Sequence, residues 1–120
     1  IFTCAGKAGP QMKDLYPTHN YYYEPAEDRE LSIEAVAIGE LALVAGKPET
    51  NCITESQLLQ CSPYEHTLLI TMVNGGMKYM ADEKSYERMT FEAMNSKLMA
   101  GAAEKFVENV CELLTELKNK

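Results

Sequence analysis

The chain predicts a small α+β domain: a β-hairpin or short antiparallel sheet packed against a long C-terminal amphipathic helix and one or two shorter helices, stapled by disulfides. Three observations carry that expectation. "HTLLITMVNGGMKYMA" (66–81) has two apolar runs around Asn74-Gly75, the dipeptide that supplies the positive φ angles of a two-residue hairpin turn. Phe91, Met94, Leu98, Ala102, Phe106, Val110, Leu113 and Leu117 recur at spacings of three and four, the mark of one helix face. Four cysteines without a C-x-x-C pair fit a disulfide framework better than a metal site.

At 120 residues the chain fits one domain. Residues 1–30 hold three of the five prolines and no sustained periodicity, and they predict an irregular arm ahead of a body over 31–120. "SIEAVAIGELALVAGKP" is rich in Ala, Leu and Glu, and Gly46 with Pro48 resembles a helix stop, so 31–46 predicts a helix. The alternative is two short strands broken at Gly39, because "LSIEAVAI" alternates in part. "ITESQLLQCSP" opens with Thr54 and has Gln57 three residues on, the spacing of a capping box, so a short helix ending by Pro63 is expected. The last helix is expected over about residues 85–118, with Gly101 inside it costing about 1 kcal/mol relative to Ala.

The expected disulfides are Cys52–Cys61, a local loop, and Cys4–Cys111, a staple between the ends. On the chain-entropy model they contribute about 2.7 and 4.8 kcal/mol. Because the sequence begins at Ile1 rather than Met, a cleaved signal peptide is expected. With the cysteines, this predicts a secreted or surface-displayed protein.

Net charge is −7, from 18 acidic and 11 basic residues. Phosphate backbones are bound by clustered Lys and Arg, so this balance argues against nucleic acid and favours a partner with a basic surface. The longest apolar run, "AVAIGELALVAG", contains Glu40 and is too short to span a membrane.

No catalytic or cofactor motif is complete, and no cofactor is expected. G-x-S-x-G, the Walker loop and G-x-G-x-x-G are all missing. His19 and His66 have no second ligand at i+3 or i+4, so no metal is expected. Binding rather than catalysis is therefore the expectation. Its candidate surface is the stretch "HNYYYEPAEDRE" (19–30), with Tyr21, Tyr22, Tyr23, Glu24, Glu27 and Asp28 as a recognition arm. Tyrosine rings give large contact area for little lost entropy, and the acids would steer a basic partner. A second reading is a small carrier of a lipid or other hydrophobic ligand, walled by the Met-rich hairpin and helix (Met72, Met77, Met80, Met89, Met94 and Met99). A third is a small enzyme whose site is not legible as a motif.

Overall fold

The computed structural model describes the backbone of residues 2–8 and 23–120, and the side chains of residue 23 and residues 27–120. It is an α+β fold with a small mixed sheet. The N-terminal segment is not an irregular arm where it is described. Strands β1 (Phe2–Ala8) and β2 (Glu24–Leu31) pair antiparallel, from Phe2 opposite Leu31 to Ala8 opposite Glu24. Glu27, Asp28, Arg29 and Glu30 are all exposed, whereas Leu31 is fully buried in the main core.

Residues 31–46 correct the helix expectation and follow the two-strand alternative. β3 (Glu34–Ile38) and β4 (Leu41–Ala45) form a tight antiparallel hairpin. Its two-residue loop puts Gly39 first at φ +60°, the position where a type II′ turn takes glycine. Local preference of Ala, Leu and Glu for helix loses here to the pleated surface that Val36, Ile38, Leu43 and Val44 build across the two strands.

After a two-residue strand β5 (Glu49–Thr50) comes the expected short helix α1 (Cys52–Cys61). Asn51, in extended backbone, occupies the cap position, and Thr54 lies buried within the helix instead of capping it. β6 (His66–Ile70) then pairs with β4, not with the residues that follow it. The pairing is parallel, so β4–α1–β6 is a crossover unit, and the sheet order is β3-β4-β6. The expected hairpin over 66–81 is therefore absent. Asn74 and Gly75 do take positive φ, at 57° and 98°, but the turn releases the chain to β7 (Tyr79–Met80), which pairs parallel with β5. A turn signal fixes a local reversal. It does not fix which strand the chain pairs with next.

The expected single helix over 85–118 is broken into α2 (Glu83–Glu87), α3 (Phe91–Met94) and α4 (Ala102–Lys118). Met89 at φ 54° and Gly101 at φ 93° stop helical propagation. Polar side chains hold the breaks: Thr90 Oγ1 accepts from Ala93 N at 3.4 Å, and Ser96 Oγ accepts from Leu98 N at 3.0 Å. Tyr86 donates its hydroxyl proton to the Leu98 carbonyl. α4 buries Ala102, Ala103, Phe106, Val107, Val110 and Leu114, and this face meets Ala42, Val44, Leu58, Met80 and Leu98 in the main core.

The disulfide joins Cys61 to Cys111, with Cα atoms 6.0 Å apart, and corrects both expected pairings. Helix formation explains the first correction. Nine residues of helical rise separate the Cα atoms of Cys52 and Cys61 by about 13.5 Å, beyond any disulfide's reach. Cys52 is left as an exposed free thiol. The Cys4 side chain lies outside the described residues.

Candidate functional site

Strand alternation sorts the three-stranded sheet into two faces. Ala35, Ala37, Ala42, Val44, Thr67 and Leu69 face inward, toward the helices. The outer face carries cross-strand rows Val36–Leu43–Leu68 and Ile38–Leu41–His66, then Glu34–Ala45–Ile70. Val36 is 55% exposed, Ile38 63%, Leu68 52% and Ile70 44%. The central Leu41 and Leu43 are half-buried by these neighbours. Thus no described element lies over the face, and its aliphatic side chains form one contiguous apolar surface. Singly exposed leucines are ordinary, but a connected patch marks a contact surface.

The two ends of this face are polar. At one end Glu34 accepts from Asn74 Nδ2 at 3.1 Å, and Lys47 stands half-buried in the small cleft behind it. At the other end His66 Nε2 lies 3.7 Å from Glu65 Oε1, both well exposed. Nearby, Lys118 closes the end of α4 onto the β3–β4 turn. Its ammonium donates to Glu40 Oε2 and to the Pro63 carbonyl, each at 2.7 Å, and sits 4.9 Å from the centroid of the Tyr64 ring. That hydrogen bond, with the Lys118 charge behind it, holds the Glu40 carboxyl below its ordinary range.

A second feature is the groove between α1 and α4, about 690 Å³, floored by Val107 and the Cys61–Cys111 bridge. Glu104, Glu108, Glu112 and Glu116 line it at four-residue spacing, one acidic line along α4. Glu108 pairs with Lys105 at 2.8 Å, which raises the lysine's pKa, and Glu104 Oε1 accepts from Glu83 N at 2.9 Å.

A third is a cleft of about 400 Å³ bordered by Glu49, Asn51, Cys52, Tyr79 and Glu92, among others. Beside it Asp82 Oδ1 accepts from Ser85 Oγ at 2.5 Å and from Asn51 Nδ2 at 2.8 Å. Burial opposes the charge on Asp82, but these hydrogen bonds outweigh it and leave the pKa below its usual value. Among the described residues no histidine lines this cleft beside Cys52. Among the described residues no three His, Cys, Asp or Glu side chains gather as metal ligands.

The expected recognition arm is divided. Tyr21 and Tyr22 lie outside the described residues. Tyr23 packs edge-on against Tyr86, with ring centroids 5.3 Å apart, and donates its hydroxyl proton to the Tyr86 carbonyl at 3.2 Å. Burial raises its pKa. Glu24 opens β2 opposite Ala8, and Glu27 and Asp28 are exposed on the same strand. Of the methionines of the carrier reading, Met80 and Met94 are buried, Met77 and Met89 half-buried, and Met72 and Met99 exposed. None lines the three cavities just described.

Sequence reasoning did not find the outer sheet face: Val36 and Ile38, then Leu41 and Leu43, sit two residues apart, but the apolar Ala37 and Ala42 between them mask the period. Comparison with known proteins gives no match to a family model, a curated protein or a solved structure. No described helix is long and apolar enough to cross a membrane.

Proposed function

We propose that this domain acts by protein–protein recognition through the outer face of the β3-β4-β6 sheet. The observation that supports this is the contiguous apolar row structure, with Val36, Ile38, Leu68 and Ile70 each at least 44% exposed. Leaving those side chains in water forgoes roughly 25 cal/mol for each Å² of apolar surface, a driving force available to whatever covers them. The exposed acids Glu27, Asp28 and Glu30 on β2 would steer a basic partner, and this is the part kept from the recognition arm. The Cys61–Cys111 bridge fits an oxidising compartment, and it is the ground for placing the domain outside the cytosol, secreted or on a cell surface.

The test is a photo-crosslinking residue at position 36, with position 115 in the α1–α4 groove as control, in cells that make the protein. The expected result is a protein adduct of one defined mass from position 36, lost when Leu68→Asp is added, and none from position 115. Absence of any protein adduct overturns the reading. Co-purified lipid displaced by Leu68→Asp would overturn it in favour of the carrier.

A further inference from the structure

The chemistry of the outer face narrows what covers it. β4 and β6 run parallel, and although β3 makes the sheet a mixed one, these strands share the front-and-back apolar character of all-parallel sheets, which helices cover on both sides. Here α4 and the crossover helix α1 serve the inner side only. Three strands about 4.8 Å apart, five residues long at about 3.3 Å each, make a patch of roughly 14 by 17 Å, or about 240 Å² in projection. A helix is about 10 Å across with its side chains and rises 1.5 Å per residue, so about 11 residues would span the patch.

A second copy of the chain suits the face less well. A stable interface takes about 800 Å² from each partner, more than three times this patch. Stacking two copies face to face would also bring the acidic ends together, Glu34 and Glu65 of one against those of the other, on chains of net charge −7. The basic groups near these ends are Lys47, half-buried in the cleft behind Glu34, His66 beside Glu65, and Lys118, which Glu40 already holds.

We propose that the outer face docks an amphipathic α-helix of about three turns presented by a partner protein. Its apolar side lies on Val36, Ile38, Leu43, Leu68 and Ile70, and Lys or Arg on its flanks meets Glu34 at one end and Glu65 at the other. This rests on the recognition reading above and names the partner's chemistry. The footprint lies below the roughly 800 Å² per partner of a standard interface for this occupant too, so the complex is a weak and transient one.

The probe is a synthetic peptide of about 14 residues, leucine on one helical face and lysine on the other. It is titrated into the isotope-labelled 120-residue chain, followed by amide chemical shifts. Expected are shifts confined to β3, β4 and β6, with a Kd of order tens of micromolar. The Val36→Asp/Leu68→Asp double variant should weaken binding about tenfold with unchanged shift dispersion elsewhere. Ile38→Ser, a milder change at the most exposed position, should weaken it severalfold and serves if the double variant misfolds. A peptide with glutamate in place of lysine should also bind severalfold more weakly. Shifts that map to the α1–α4 groove, or equal binding by the acidic peptide, overturn the proposal. So does a dimer in sedimentation velocity that Val36→Asp abolishes, because the occupant is then a second copy. If the lysine peptide fails while the position-36 adduct persists, the helical partner is wrong and the recognition reading stands. Loss of both removes both.

Discussion

The two faces of one small sheet carry their bulk in opposite ways. The inner face is built mostly of small residues, Ala35, Ala37 and Ala42 with Val44, Thr67 and one larger side chain, Leu69, and a helix lies close over it. The outer face has the larger aliphatics, Val36, Ile38, Leu43, Leu68 and Ile70, and nothing described over it. In a sheet that merely separated core from water, the outer positions would be polar. Small residues under α4 let the helix approach, so that its own Phe106, Val110 and Leu114 fill the space. Large residues on the other side have no described element over them. The contrast teaches that the core of this domain is supplied by the helix, while the sheet's own bulk is turned outward.

The comparison breaks first at Phe106. It is 1% exposed at the centre of the main cluster, and its ring passes close beside Gly46. Phe106→Ala should lower unfolding free energy by about 3–5 kcal/mol, the range for large-to-small changes in cores. Urea denaturation followed by circular dichroism would measure it. A loss under about 1 kcal/mol would mean that the inner layer is not the core it is taken for.

How far the sequence foretold this contrast depends on which face one asks about. α4 was legible because its apolar residues repeat every three or four positions and water holds the opposite side. The short helix before Pro63 was legible from its proline stop, whereas the capping box expected at Thr54 and Gln57 does not form because Asn51 takes the cap position. β3 and β4 were not, for a physical reason. A strand apolar on both faces loses the alternation that identifies strands, and "EAVAI" and "LALVA" are written in helix-forming residues. The feature that hid these strands, apolar character front and back, is the same feature that makes the outer face a candidate site. The pairing of β6 with β4 was out of reach for another reason, since Asn74-Gly75 speaks only for its own turn. Three adjacent tyrosines cannot all face one core, but which of them packs depends on a neighbour distant in sequence: Tyr23 meets Tyr86.

A smaller effect sharpens the inner side. Cys61–Cys111 ties the end of α1 to the middle of α4, the two helices of the inner layer, across 50 residues. Closing a loop of that length contributes about 4 kcal/mol on the chain-entropy model, and measured values for disulfides run about 2–4. Cys61→Ser/Cys111→Ser should therefore cost about 2–4 kcal/mol while the outer-face residues keep their chemical shifts. Perturbation that spread into Val36 and Leu68 would show the two faces to be coupled.

The smallest expected effect is the most telling for the outer side. Leu68 is 52% exposed, flanked on its row by Leu43 and Val36, and has water where a core residue would have neighbours. Leu68→Ser removes a side chain about half of which folding leaves in water, so stability should change by no more than about 1 kcal/mol. Binding of a hydrophobic dye by the native protein should fall at the same time, because the patch loses one of its large exposed side chains. A small stability change with a loss of dye binding fits a face kept apolar for contact. Destabilisation of 2 kcal/mol or more, the size of a buried Leu truncation, would show that some part of the chain covers Leu68 in solution and that the face is core after all.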